Sequence, residues 1–422
     1  MSIKGLKGFK DILPDEVALW QWVESQARNI FQRYGFMEIK VPILEKTELF
    51  VRTIGENTDI VEKEMYTFED RNGASITMRP EGTAPVIRAY IENGLNIRSP
   101  VQRLYTTGPM FRHERPQKGR LRQFHQLSVE VLGSNSAKVD AEVMAMAWQL
   151  LQEISLKASL EINSLGCPAC RPSFKNALDS FLEGCQEYIC DDCRRRSKTN
   201  PLRVLDCKSD NCQKQYSGAP SILDHLCKPC EDQFDEVKQG LAQLDIPFSV
   251  NSFMVRGLDY YTRTTFELIT GDLGAQSAIG AGGRYDGLVK QLGGPDVPGI
   301  GFAMGMERLI MLLQQQDDLD IGPQLDLFVV ALGAAAYENG FGMLQKLRAA
   351  GLKVLMDHEG RSMKKQMKQA DKNRARYVLI LGDDELAKKE AILKNMASGE
   401  QAGVPLSENI EEFIETMKAT IS

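Results

Sequence analysis

The sequence predicts an α+β protein of more than one domain, and three patterns carry that prediction. Residues 104–133 read as two strands joined by a Gly-containing loop, the pattern of an antiparallel hairpin. All nine cysteines fall within residues 166–235, so that stretch stands apart as an insertion with its own rules. From residue 325 onward strands and helices alternate in a βαβαβ rhythm, which implies a small sheet with helices on its faces. The length of 422 residues agrees, because domains run to roughly 100–200 residues and two to four are expected.

Composition excludes several classes. Hydrophobic residues make up 43% and charged residues 26%, which supplies ample material for cores and argues against disorder. No apolar run approaches the roughly 18 residues of a membrane span. The N-terminal MSIKGLKGFKDILP has no apolar signal core. A cytoplasmic protein with no membrane partner is therefore expected, its thiols free or metal-bound rather than a disulfide scaffold. The formal net charge of -6 argues against a general polyanion binder. Two basic clusters stand out locally. Residues 112–122 hold five Lys/Arg against Glu114, and residues 361–376 hold seven against Asp371. Each reads either as a solvated face or as a site for an anionic partner.

The elements follow in order. Residues 15–34 place Val17, Trp20, Val23, Ala27, Ile30, Phe31 and Tyr34 at helical spacing, with acids in the first turn and Gly35 as the stop. Residues 37–43 read as a strand. Residues 248–253 and 264–269 read as strands, 280–287 as a Gly-rich stretch, and 299–313 as a strand passing into a helix. A polar linker spans 314–324. Strands are then expected at 325–332, 353–357 and 377–382, with helices at 337–350 and 362–373 between them. This divides the chain into residues 1–165, the insertion 166–235, residues 236–320 and a last module 325–422.

The hairpin is the most informative chemistry. Phe124, Gln126, Ser128 and Glu130 share one face of its second strand, while His125, Leu127, Val129 and Val131 share the other. A polar front over an apolar back suits the floor of a ligand site. Met110, Arg112 and Glu114 are expected on one face of the first strand. Arg112 is suited to phosphate or carboxylate, because its rigid fork donates in pairs. An edge hairpin with a solvated face fits these residues equally well. Glu81, beside Pro80 and Gly82 and ahead of a helix, reads as a second carboxylate of the site or as a helix-start acid. Likewise, Arg256 alone reads as a surface arginine, and Tyr260 and Tyr261 as core. GAGGRYDG (280–287) lacks the Gly-Lys-Ser/Thr of a P-loop and the spacing of a dinucleotide site. Its glycines are expected to make tight turns or admit backbone close to a ligand. The four histidines, His113, His125, His225 and His358, are scattered and read as structural or solvent-exposed.

The stretch GPMFRHERPQKGRLRQFHQ resembles motif 2 of class II aminoacyl-tRNA synthetases, and GIGFAMGMERLIMLL resembles their motif 3. RGLDYYTRTTFEL (256–268) and GAGGRYDGLV (280–289) resemble the two signature segments of the histidyl-tRNA synthetase family, in its bacterial form. LKGFKDILP and NPLRVLDCK are similar to that family as well, so the resemblance covers essentially the whole chain. It implies an antiparallel sheet flanked by helices, interrupted by the Cys-rich insertion, and an α/β anticodon-binding domain at 325–422. It implies ATP with Mg²⁺, L-histidine and histidine tRNA as substrates, and a homodimer. By resemblance, Glu81, Thr83 and Gln126 hold the α-amino group of histidine. Glu130 and Tyr261 meet the imidazole nitrogens, and Tyr260 lines the pocket. Arg112 and Arg256 are the catalytic arginines, contacting the α-phosphate and the substrate carboxylate. Glu114, Arg120 and Arg308 hold ATP, with Phe124 against adenine. Gln117, in the motif 2 loop, is the expected reader of the tRNA acceptor end.

The cysteines go beyond what the family requires. Cys167/Cys170, Cys190/Cys193 and Cys227/Cys230 are C-x-x-C pairs, and Cys207/Cys212 is a C-x₄-C pair, with Cys185 left over. Eight thiols suffice for two tetrahedral structural zinc sites. The expected pairing sets Cys167 and Cys170 with Cys227 and Cys230 at the base, and Cys190 and Cys193 with Cys207 and Cys212 inside. Free thiols and reversible disulfides are the alternatives. Arg194, Arg195 and Arg196 follow the inner pair and either approach tRNA or are simply solvated. In the last module Lys364, Lys365 and Lys368 fall at helical spacing, facing either phosphates or water. The rival to an enzyme is a catalytically silent paralogue, the regulatory subunit of the first enzyme of histidine biosynthesis. Such proteins usually lack the C-terminal domain and parts of the motifs, whereas Arg112, Arg256, Tyr260, Tyr261 and Arg308 are all present here. A protein that only binds tRNA has no need of an intact imidazole pocket.

Overall fold

The computed structural model describes residues 3–55, 58–207, 209–271, 278–316, 319, 321–322, 325–406, 412, 414–415 and 419. Lys208 of the NPLRVLDCK segment, residues 317, 318, 320, 323 and 324 of the expected linker, and much of 407–422 lie outside the described residues. The chain divides into two compact units, Met1–Leu319 and Asp320–Ser422.

The strands are β1 (Met37–Glu38), β2 (Leu44–Lys46), β3 (Tyr66–Glu69), β4 (Ser75–Met78), β5 (Gln102–Phe111), β6 (Gln123–Leu132), β7 (Ser159–Ser164), β8 (Phe248–Val250), β9 (Thr262–Ile269), β10 (Ala278–Arg284) and β11 (Gly299–Gly305) in the first unit. β12 (Leu325–Ala331), β13 (Val354–Met356), β14 (Ala375–Leu381), β15 (Glu390–Asn395) and β16 (Gln401–Pro405) lie in the second. The large sheet runs β1-β5-β6-β11-β10-β9-β7-β8. Its six inner strands are antiparallel to one another, and β1 and β8 add to the edges in parallel. β2, β4 and β3 form a small antiparallel sheet beside it.

The first helix, Pro14–Arg33, buries Trp20, Val23, Ala27, Ile30 and Phe31, the stripe its spacing predicts. His125 meets this helix edge-on, its ring 5.1 Å from that of Trp20, while its Nδ1 lies 3.0 Å from Glu307 Oε1. It is a structural histidine, as expected. The helix Ala137–Glu153 crosses the helix Lys228–Gln243 so closely that a Cβ on Gly240 would stand 2.8 Å from Ala141 Cβ. Beneath them lies a charged pair with no solvent exposure on either side chain. Arg284 Nε donates to both oxygens of Asp140 at 2.9 Å, and Thr264 Oγ1 adds a bond of 2.7 Å to Asp140 Oδ2. Removing one partner of such a pair typically costs about 3–5 kcal/mol, because the other charge is left buried.

Two expectations need correction here. The strand expected over 37–43 is only Met37–Glu38, and Pro42, which has no N–H to give a ladder, lies between it and β2. The stretch 280–287 is not mainly turn, since Ala278–Arg284 is an inner strand of the sheet. Its glycines serve close strand packing. A Cβ on Gly282 would stand 2.2 Å from the Gly301 carbonyl oxygen and 2.6 Å from Phe302 Cβ. Gly287, at φ +93°, has the left-handed turn geometry.

The second unit is a mixed sheet in the order β13-β12-β14-β15-β16. β12 alternates strictly. Leu327, Val329 and Ala331 pack on one side with Leu344 and Leu347, while Phe328 and Val330 pack on the other with Ala370. Helices Ala334–Ala349 and Met363–Lys372 therefore cover opposite faces, as the rhythm predicts. β15, antiparallel to β14, and β16, antiparallel to β15, extend it beyond the sequence reading. Lys364, Lys365 and Lys368 are exposed on the second of these helices.

Candidate active site

One face of the large sheet opens into a cavity of ≈340 Å³, and its floor follows from strand register. Ser128 on β6 stands abreast of Ala303 on β11, Ala281 on β10 and Glu267 on β9. Glu130 stands abreast of Gly301 and Gly283. The middle strands thus offer almost no side chain, and the hollow lies between polar groups on either side. Gly301 cannot be replaced without rebuilding this row, because a Cβ there would meet Glu130 Oε2 at 2.1 Å. The expected polar front of β6 is this floor, with Phe124, Gln126 and Ser128 lining the cavity. On β5 the alternation stops at Phe111. Met110 is buried beneath Gly82, while Arg112 and Glu114 belong to the hairpin loop beyond the strand, where they line the cavity.

The closed end of the cavity is a hydrogen-bonded cluster of acids, a threonine and tyrosines. Glu81 lies at the start of helix Thr83–Glu92, its Oε2 accepting from the Thr83 N–H at 2.6 Å and its Oε1 from the Ala84 N–H at 2.8 Å. Glu81 thus caps the helix start and also lines the cavity. Thr83 Oγ1 donates to Glu130 Oε1 at 2.6 Å, and the Tyr285 hydroxyl donates to Glu130 Oε2. Burial pushes the Glu130 carboxyl up to about 8, with the nearby Glu81 adding to the rise and the Thr83 and Tyr285 hydrogen bonds opposing it. Tyr260 packs against Tyr261 at 4.7 Å and edge-on to Tyr285 at 5.8 Å between ring centroids.

Arginines mark the other end. Arg256 pairs with Glu267, and its guanidinium lies 5.5 Å from the Tyr261 ring centre. Burial works against its charge, but Tyr261 and Glu267 outweigh it and hold Arg256 more firmly protonated. Arg112 Nε donates to the Pro80 carbonyl at 2.8 Å, and its guanidinium lies over Phe124 at 5.3 Å. Glu114 ties the loop down with Arg120 at 3.0 Å and Arg112 at 3.9 Å. Arg308 reaches the same loop through the Gly119 carbonyl at 3.4 Å and bonds to the Ala278 carbonyl. Among the described residues, three buried polar atoms of the cavity lining find no protein partner, namely Gln126 Oε1, Ser128 Oγ and Arg256 Nε. Unpaired buried groups of this kind are costly, and a ligand in the cavity removes the cost.

Of the residues expected in the histidine and ATP sites, Glu81, Thr83, Arg112, Glu114, Arg120, Phe124, Gln126, Arg256, Tyr260, Tyr261 and Arg308 line this one cavity. Glu130 is not among its walls and is tied to them through its bonds to Thr83 and Tyr285. Gln117 is outside it, exposed at the tip of the hairpin and paired with Arg120 through backbone bonds of 3.1 and 2.9 Å. The sequence reading missed Tyr285 and Glu267. Both follow from the register of β9 and β10, which a glycine-rich strand conceals.

The model of the histidyl-tRNA synthetase family matches residues 8–167 and 210–309. The chain belongs to the histidyl-tRNA synthetase family. An anticodon-binding domain family matches residues 326–416. The histidine–tRNA ligase of Desulfotalea psychrophila is 61% identical over 96% of this chain and 94% of its own length. That of Trichlorobacter lovleyi is 56% identical over 96% of each chain. The solved apo structure of the Staphylococcus aureus histidyl-tRNA synthetase superposes with a TM-score of 0.78 at 38% identity, covering 98% of this chain and 100% of that one. Likeness to histidyl-tRNA synthetases over nearly the full length supports charging of histidine tRNA and does not favour the regulatory paralogue. Membership implies an ATP-using ligase with histidine and tRNA as substrates. No described helix is long and apolar enough to cross a membrane.

Proposed function

We propose that the closed end of the cavity binds L-histidine and the arginine-bearing end binds ATP with Mg²⁺, so that the two react between Arg112 and Arg256. The observation that carries this reading is the set of unpartnered groups, Gln126 Oε1, Ser128 Oγ and Arg256 Nε, around one cavity. Glu81, Thr83 and Gln126 receive the α-amino group. Glu130 and Tyr261 meet the two imidazole nitrogens against Tyr260, and the Tyr285 bond fixes the Glu130 carboxyl. A pocket whose buried polar groups need partners rejects side chains that lack them by roughly 10⁴-fold.

A histidine carboxylate oxygen attacks the α-phosphorus of ATP, and the bond to pyrophosphate breaks. Charge builds on the α-phosphate oxygens, and Arg112 and Arg256 stabilise it from fixed positions. The terminal adenosine hydroxyl of the tRNA then attacks the acyl carbon, and AMP leaves. No side chain becomes covalently attached in either step. Glu114, Arg120 and Arg308 hold the rest of ATP, with Phe124 against adenine. When bound with ATP, Mg²⁺ would neutralise phosphate charge, and Glu114 and Glu267 are the cleft carboxylates that would hold such a hard cation. Gln117 meets the acceptor end of the tRNA.

In this reading residues 1–165 and 236–320 form the catalytic domain, 166–235 the insertion and 325–422 the anticodon-binding domain, and the enzyme works in the cytoplasm. A homodimer is favoured by large apolar side chains left exposed on β1, just before β2 and on the small sheet: Met37, Ile43, Leu44 and Phe68. The two cysteine sets are assigned structural zinc, as argued below. The test is ATP–pyrophosphate exchange with each amino acid in turn. Exchange with histidine alone is expected. A well-folded protein that gives none with Mg²⁺ present would be the regulatory paralogue.

A further inference from the structure

The chemistry above makes no use of the insertion's sulfurs, yet they are highly organised. Cys167, Cys170, Cys227 and Cys230 form one set, and Cys190, Cys193, Cys207 and Cys212 form another, the sulfurs of each lying within 4.8 Å of one another. The separations are 3.7 Å for Cys167–Cys170, 3.8 Å for Cys167–Cys227 and 3.9 Å for Cys190–Cys207. A disulfide requires about 2.05 Å. Four thiolates about 2.3 Å from a central zinc ion stand about 3.8 Å apart at the corners of a tetrahedron. In each set a backbone N–H also points at a sulfur, Cys227 at Cys170 Sγ and Cys190 at Cys212 Sγ, both at 3.2 Å. Such bonds steady thiolate charge. The insertion's own core is built around Phe174, Leu178, Leu182, Val204, Tyr216 and Ile222, which is modest for a segment rich in short helices and turns. Small units of this kind are commonly held by metal.

The outer set is joined to the closed end of the cavity from both sides. On the Cys167/Cys170 side, the Arg263 N–H donates to the Gly166 carbonyl at 2.9 Å and the Leu165 N–H donates to the Arg263 carbonyl at 2.7 Å. Arg171, directly after Cys170, donates to the Tyr261 carbonyl. On the Cys227/Cys230 side, the helix that begins there carries Gln233, whose Oε1 accepts from Arg263 Nη1 at 2.6 Å. Both limbs therefore grip residues 261–263, at the back of Tyr260 and Tyr261. The turn into Cys167 is tight: Gly166 sits at φ +59°, and a Cβ there would stand 2.7 Å from Cys170 Cβ.

We propose that each cysteine set holds one structural zinc ion, and that the outer ion braces the back wall of the histidine pocket by clamping the two limbs on Tyr261 and Arg263. The bracing half rests on the histidine reading given above. Arg171 is a positioning residue, acting on the ligand only through the Tyr261 backbone.

Full-length protein purified without chelator is analysed for metal by mass spectrometry and reloaded with Co²⁺ to record its absorption. Two zinc ions per chain and strong thiolate-to-cobalt bands are expected, and Cys207→Ser should keep one ion. Arg171→Ala should keep both ions and raise the histidine KM in pyrophosphate exchange about 10-fold, the loss of one charge-assisted bond, with the ATP KM unchanged. Cys227→Ser should lose one ion and show the same shift. Protein that carries no metal and gives no thiolate bands overturns the zinc assignment, and one ion per chain overturns the paired form. An unchanged histidine KM in Arg171→Ala overturns the bracing. If zinc-replete wild type shows no exchange, the bracing falls together with the histidine reading, while metal content still decides the zinc sites.

Discussion

At the closed end of the cleft, Glu81, Glu130, Tyr260 and Tyr285 are buried, and both carboxylates already hold hydrogen bonds from Thr83, Ala84 and Tyr285. At the open end, Arg112, Glu114, Arg120 and Arg308 are at least partly exposed, on a hairpin loop and a helix, with Glu114 paired to Arg120 at 3.0 Å and to Arg112 at 3.9 Å. The difference separates two tasks. Telling one amino acid from another needs groups whose partners cannot be swapped for water, so burial and satisfied bonds dominate. Stabilising a phosphate that gains charge during reaction needs preorganised positive charge, and in the proposed reading the loop supplies it.

Substitutions at the two ends should therefore break different kinetic parameters. The largest effect is expected at the open end. Arg112→Ala should lower kcat for pyrophosphate exchange by about 10²–10³ with a small change in the histidine KM, and Arg112→Lys should recover only part, since an ammonium lacks the fork. A loss confined to KM would dissolve the distinction. At the closed end, Tyr285→Phe should raise the histidine KM about 10-fold and leave the ATP KM alone, because Glu130 Oε2 loses its donor. Steady-state kinetics with each substrate varied will show whether the split exists.

Glu130 sharpens the comparison through pH. Its folded-state value of about 8 lies above the ordinary 4.5, so the fold favours the protonated acid. Its contribution to stability is greatest below the ordinary value and is lost as pH rises from about 4.5 to about 8. Glu130→Gln carries no such penalty. Thermal melts without ligand should show the variant gaining on wild type across that window and levelling off above it. A gap that does not change with pH would place the raised value elsewhere. The smallest effect on activation is expected at Gln117, outside the cavity. Gln117→Ala should leave pyrophosphate exchange within about 2-fold while reducing tRNA charging by about 10-fold, as loss of a hydrogen bond to one partner would. Equal loss in both assays would tie the hairpin tip to activation instead.

How far the sequence reveals this arrangement depends on the local pattern. The helix Pro14–Arg33, the strand-to-helix passage at 299–313 and the two-faced β12 carry strong periodicity, and they fold as read. The alternation of β6 identifies the cavity floor because one strand there has a polar and an apolar face. β10 carries no such signal: Gly280, Gly282 and Gly283 are there to let neighbouring strands approach, and they read as turn. Missing that strand also hides Tyr285 and the row linking Glu267 to Ser128. The four-by-four grouping of the cysteines follows from pair spacing, and the sulfurs gather in the expected sets. The grip of Arg171 and Gln233 on residues 261–263 joins positions far apart in the chain, and no local pattern encodes it.

The separation of the two ends meets at Arg256, which borders both. Pyrophosphate exchange by wild type and by Arg256→Ala, with circular dichroism to verify folding, tests it most directly. Wild type should exchange with histidine and with no other amino acid, and the folded variant should fall by about 10³ or more, the scale of losing a preorganised charge at the transition state. A folded Arg256→Ala within about 3-fold of wild type would contradict the placement of the reaction between Arg112 and Arg256.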